Sequence, residues 1–233
     1  MATLHTDWVS GLPKNRLLAE FSLWSAEAGH LADEIARAEP HVDLWHVDIC
    51  DGHFAPQILL FTDHVSLLKR ASKRPVHVHL MVDSRLLPSQ IAQFAEAGAD
   101  LISLHVENSH DVIASALERI EAAGGQAGLV LTLDSPPDAI LPWLDRVSMV
   151  TMVGTPIGIK GVGPDEATYT RLAEARRLID DHSGRHPLLA ADGGIREHTV
   201  PLLRKVGADT VVMGSLAFGA ENLPERMRWL HGL

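Results

Sequence analysis

Cysteine is nearly missing from this chain: Cys50 is the single one among 233 residues. No intrachain disulfide can form, which fits a protein of the reducing cytoplasm. No run of about 18 uninterrupted apolar residues occurs, so a membrane-spanning helix is not expected. Residues 1–16 hold Asp7, Gly11 and Pro13 and no apolar stretch of signal-peptide length, so no secretory signal is expected. Basic residues are outnumbered, 20 Lys and Arg against 30 Asp and Glu, for a formal charge of −10. That balance disfavours nucleic acid and anionic membranes as partners. A phosphorylated small molecule stays open, because backbone N–H groups bind phosphate without Lys or Arg. No low-complexity linker divides the chain. No G-x-G-x-x-G follows the first apolar run, which argues against a dinucleotide-binding open sheet.

What the chain does have is alternation. It is 46% hydrophobic with a mean hydropathy of +0.06, ordinary for a globular fold. Short runs rich in Val, Leu and Ile, at 17–23, 43–49, 76–82, 100–106, 127–133, 147–153, 187–191 and 209–213, read as strands covered on both faces. Helical spacing of apolar residues follows each, over 25–38, 63–71, 88–97, 109–123, 136–144, 164–181, 197–206 and 221–231. Pro88, Pro136 and Pro164 suit first-turn positions, and Gly98, Gly124 and Gly207 stand where helices should stop. Eight β/α units predict a closed (β/α)₈ (TIM) barrel, with a doubly wound open sheet as the weaker alternative. We expect one domain over 1–233, with residues 1–16 as an N-terminal arm.

Barrel enzymes carry their chemistry at the C-terminal ends of the strands. There the second run reads His46-Val-Asp48-Ile-Cys-Asp51-Gly, the third His77-Val-His79-Leu-Met81, and the seventh Asp192-Gly193-Gly194. His46 and Asp48 are two apart on a strand and share a face, as do His77 and His79. Two imidazoles and two carboxylates, His46, His79, Asp48 and Asp192, at one mouth predict a site for a single divalent ion such as Zn, Fe, Mn or Co. Taken singly, each is more readily a hydrogen-bonded polar group.

The segment His46-Val-Asp-Ile-Cys-Asp-Gly-His-Phe-Ala-Pro56 resembles the signature H-x-D-x-M-D-G-x-F-V-P of the ribulose-phosphate 3-epimerase family. Ser22-Leu-Trp-Ser-Ala-Glu27 is similar to its S-I-L-S-A-D, Val78-His79-Leu80-Met81 to its V-H-L-M, and His105-Val-Glu107 to its H-x-E. Asp192-Gly193-Gly194 and Gly214-Ser215 resemble its D-G-G and G-S, so the likeness runs from about Leu17 to Phe218. The resemblance implies a barrel of the ribulose-phosphate-binding type and a metal-dependent 3-epimerase of a ketose phosphate. It implies metal ligation by His46, Asp48, His79 and Asp192, with Asp48 and Asp192 also as the two acid/base groups. It further implies Ser22 beside substrate hydroxyls, Met81 on the pocket floor, and phosphate held by Gly193, Gly194, Gly214 and Ser215. A homo-oligomer is the family's expectation.

The likeness breaks after the sixth strand. The family's P-G-F-G-G-Q loop is replaced by Val153-Gly-Thr-Pro-Ile-Gly-Ile-Lys-Gly-Val-Gly163, which keeps Gly158 and sets Lys160 about where Gln stands. Lys160 either adds a charge to the phosphate or is a solvated loop lysine. Cys50 replaces the family's Met and reads as an inert buried thiol or a reactive one. His105 and Glu107 read equally as supports behind the metal ligands or as core and rim polar groups. The default substrates are ribulose 5-phosphate and xylulose 5-phosphate, while the altered loop leaves hexulose or tetrulose phosphates open. A decarboxylase-like lyase on a related barrel needs a lysine between carboxylates, and the second strand has none. A non-catalytic sugar-phosphate binder and a zinc hydrolase remain as other uses of the same residues.

Overall fold

Eight parallel strands close into one barrel in the computed structural model, which describes residues 8–233. They are β1 (Leu18–Ser22), β2 (Leu44–Cys50), β3 (Val76–Met81), β4 (Leu101–His105), β5 (Gln126–Leu131), β6 (Met149–Val153), β7 (Leu188–Asp192) and β8 (Thr210–Met213). Each pairs with the next, and β8 pairs back with β1. The outer layer is α1 (Leu31–Ala38), α2 (Thr62–Ala71), α3 (Leu87–Glu96), α4 (His110–Ala122), α5 (Ala167–Asp180), α6 (Val200–Lys205), α7 (Ser215–Phe218) and α8 (Leu223–His231). The chain is thus the TIM barrel that the alternation predicts. No helix is long and apolar enough to cross a membrane among the described residues.

Strand periodicity divides the side chains. On β2, Trp45, Val47 and Ile49 turn outward into the apolar layer under the helices, with Trp45 edge-on to Phe21 of β1. Leu44, His46 and Asp48 turn inward. The inward residues at the N-terminal end, Leu44, Leu101, Met149 and Ala190, plug the barrel, with Trp8 and Leu12 packed beneath them. Of the expected arm, residues 1–7 lie outside the described residues, and Trp8–Gly11 is a turn of 3-10 helix.

Three expectations need correction. The stretch 136–144 is a 3-10 helix (Pro137–Arg146), because Pro142 inside it lacks the N–H that an α-helix requires. Pro164 is not a first-turn residue: α5 begins at Ala167, and Pro164 packs on Gly194 instead. The helix expected over 25–38 begins with two 3-10 turns, Leu23–Ser25 and Ala28–His30, before α1. Gly98, Gly124 and Gly207 do end helices, each at a positive φ that other residues rarely adopt.

Candidate active site

The β2–β3 register sets His46 beside His77 and Asp48 beside His79. That pairing, with Asp192 ending β7, brings four ligand atoms of His46, Asp48, His79 and Asp192 within 4.8 Å of one another. Nε2 of His46 stands 3.2 Å from Asp48 Oδ1 and 3.9 Å from Asp192 Oδ2. Nδ1 of His79 stands 3.3 Å from Asp48 Oδ1 and 3.8 Å from Asp192 Oδ2.

Nδ1 of His79 is buried, yet meets no hydrogen-bond partner in usable geometry. Its neighbours explain why. Nε2 of His79 lies 2.8 Å from Nε2 of His105, whose Nδ1 lies 2.9 Å from Glu107 Oε2. Glu107 is held at about 2, since His105, Ser135 and Thr132 outweigh its burial, so its carboxylate can only accept. His105 therefore donates from Nδ1 and accepts at Nε2, burial holding it neutral at about 4. His79 donates from Nε2 and is left with a bare lone pair on Nδ1, aimed at the two aspartates. An orphaned imidazole lone pair between two carboxylates is the donor set of a divalent-metal site, and this buried cluster is consistent with one. His105 and Glu107 thus stand behind His79, where the first of their two readings would put them.

The two carboxylates differ in acidity. Burial raises both, but for Asp48 the neighbouring imidazole of His46 wins and holds it well below the carboxylate range. For Asp192 burial and the charge of Asp48 prevail, and it is raised. Burial alone would depress His46, yet Asp48, Glu20 and Asp192 lift it well above its ordinary value.

The cluster floors a cavity of about 400 Å³ lined among others by Ser22, Met81, Gly158, Lys160, Gly193, Gly194, Gly214 and Ser215. All the substrate-facing positions expected from sequence are thus brought to one cavity. Ser22 donates to Asp48 Oδ2 at 2.9 Å, and Met81 packs on the Cys50 sulfur at 3.6 Å. Burial and two nearby aspartates push the Cys50 thiol up to about 12, so it is the inert of its two readings. Gly194 has a positive φ, and a Cβ there would meet Pro164 at 2.5 Å, so the β6 loop and the β7 turn touch only because this residue is glycine. Lys160 lines the same cavity and is not a freely solvated lysine: its ammonium donates to the Trp24 carbonyl at 2.6 Å and lies 4.4 Å from the centre of the Trp24 ring. It ties the β6 loop to the β1 loop across the cavity mouth.

Sequence reasoning does not single out four contributors. Asp51 accepts from the backbone N–H of His53, Phe54 and Asp83 and so shapes the loop after β2. Thr155 and Arg196 line the cavity beside the Gly193–Gly194 turn. Glu20 sits inward on β1, and its only sequence signal is the two-residue spacing from Ser22.

Residues 18–218 match the model of the ribulose-phosphate 3 epimerase family. The chain is 29% identical over 214 residues to a ribulose-phosphate 3-epimerase of Bacillus subtilis, covering 91% of this chain and 96% of that protein. It is 32% identical over 191 residues to one of Aquifex aeolicus, covering 82% and 84%. Among solved structures, orotidine 5'-phosphate decarboxylase from Pyrococcus horikoshii superposes with a TM-score of 0.66 at 15% identity, covering 92% of this chain and 97% of that one. At that identity the likeness is one of fold alone.

Proposed function

Because the chain belongs to the ribulose-phosphate 3-epimerase family, we propose that it inverts C3 of a ketose phosphate, with one divalent ion held by His46, Asp48, His79 and Asp192. The observation that carries this reading is the bare Nδ1 of His79 set between two aspartates at the barrel mouth. Asp48 and Asp192 are the acid/base pair. One takes the C3 proton, the electron pair passes to the C2 carbonyl as an enediolate, and the other returns a proton to the opposite face. When bound, a divalent ion such as Zn, Fe, Mn or Co supplies Lewis-acid stabilisation of the developing oxyanion. Ser22, bonded to Asp48, faces the sugar hydroxyls, and Met81 shapes the floor.

We place the phosphate at Gly193, Gly194, Gly214 and Ser215, where glycine brings backbone close to the ligand. A Cβ at Gly214 would meet Ser25 Oγ at 2.6 Å. Gly158 and Lys160 form the facing wall of the cavity. Ribulose 5-phosphate and xylulose 5-phosphate are the pair to try first. The altered β6 loop, tied to the β1 loop by the Lys160–Trp24 contact, leaves a hexulose or tetrulose phosphate as the second reading. The test is a ketose-phosphate panel in deuterated water, scored for epimer and for deuterium at C3. Epimer with C3 deuterium from one member supports the reading, and hydrolysis without C3 exchange overturns it.

Because Lys160 is engaged by Trp24, we expect Lys160→Gln to lower kcat/KM only about 2- to 5-fold, the scale of an exposed cation–π contact. Steady-state kinetics on the best substrate checks this. A loss of about 100-fold, confined to phosphorylated substrates, would instead assign the lysine to the phosphate.

A further inference from the structure

Beneath the cluster the barrel holds a carboxylate that the chemistry above leaves unused. Glu20 is wholly buried in the middle of β1, while Ala19 and Phe21 beside it point outward into apolar packing. A carboxylate there is costly unless its oxygens are paired. Both are. Oε2 stands 3.0 Å from Nδ1 of His46 and 2.8 Å from Nδ1 of His77, and Oε1 accepts from Thr210 Oγ1 at 3.3 Å. Nε2 of His77 is in turn 2.7 Å from Ser103 Oγ. Ser103 has room because its β5 partner is Gly128, where any Cβ would collide with that hydroxyl. Side chains from four other strands thus converge to hold one carboxylate in one orientation.

An ionised carboxylate only accepts, so the Nδ1 atoms of His46 and His77 donate to it. With its donor to Glu20 fixed at Nδ1, the His46 ring leaves Nε2, the atom that faces Asp48 and Asp192, as the nitrogen that would give up its proton to bind an ion. We propose that Glu20 is a positioning residue for His46, fixing its ring orientation and tautomer so that Nε2 is presented to a divalent ion. His77, Ser103 and Thr210 brace the carboxylate. The proposal rests on the reading of His46, Asp48, His79 and Asp192 as metal ligands. Glu20 itself is not among the cavity-lining residues, and its action passes through the His46 ring. His79 is oriented separately, by Glu107 through His105. Each imidazole thus has its own carboxylate behind it.

Titration of the full-length protein with Co²⁺ tests this, read by the visible absorption of bound Co²⁺ alongside thermal unfolding. Glu20→Leu removes the acceptor and should weaken Co²⁺ binding about 10- to 100-fold, the cost of losing such an outer partner, with an altered spectrum. Glu20→Gln keeps an acceptor oxygen and should bind within about 3-fold of wild type, a small part of that cost. Glu20→Leu binding as tightly as wild type, or Glu20→Gln losing as much as Glu20→Leu, overturns the proposal. Should Glu20→Leu fail to fold, ¹⁵N–¹H spectra of wild-type protein loaded with Zn²⁺ decide it. A slowly exchanging proton on His46 Nδ1 supports the proposal, and a proton on Nε2 overturns it. Wild-type protein that binds neither ion overturns the reading of the metal ligands instead.

Discussion

Asp192→Asn is expected to reduce kcat/KM for epimerisation by about 10²- to 10⁴-fold, the usual contribution of a positioned general acid or base. The fold should survive, because the residue ends β7 and an amide oxygen can still accept from the Gly193 N–H, which now donates to Asp192 Oδ1 at 2.7 Å. What the amide cannot do is give or take the C3 proton. Asp48→Asn should cost as much, although its amide must also sit against Ser22, His46 and His79. The two variants should differ in one respect. With one carboxylate left, each variant should wash deuterium into C3 from one epimer and not from the other, because each group serves one face. Metal content has to be measured on the same samples, since lost ion would imitate lost acid/base chemistry. Either variant retaining a tenth of wild-type kcat/KM with metal bound would rule its aspartate out.

The second large effect concerns the imidazoles. His79→Ala should raise the Kd for a divalent ion by more than the about 10- to 100-fold that loss of an outer partner costs, because a ligand itself is removed. Epimerase activity should fall with it. His46→Ala should behave alike and also leave Glu20 with one imidazole fewer. His182→Ala is the control, since His182 pairs with Asp145 on the outside of the barrel. Elemental analysis after dialysis, with thermal unfolding as the check on folding, distinguishes the three. Ion retained at wild-type level by His79→Ala would refute the ligand assignment.

The sequence signals differ in reach. The barrel is legible from local patterns, namely apolar runs of strand length, helical spacing after each, and glycines at Gly98, Gly124 and Gly207 where helices end. The candidate site is legible for a related reason. His46 and Asp48, or Gly193 and Gly194, are near neighbours in sequence, and strand ends of a barrel meet at one mouth. Where local signals conflict they mislead, as over 136–144, where helical spacing is overruled by Pro142.

By itself, then, the sequence determined the eight-unit barrel, the face on which its chemistry gathers, and the residue types that gather there. The tertiary structure alone decided which atom meets which. Glu20 looks like one polar break in an apolar strand until β1, β2 and β3 set it against His46 and His77. Lys160 and Trp24 are 136 positions apart, and neither reveals the other. The bare Nδ1 of His79 follows from a relay of β3, β4 and the loop after β4. Such contacts depend on strand register and on the stagger with which a barrel closes, which are properties of the whole sheet that no short segment encodes.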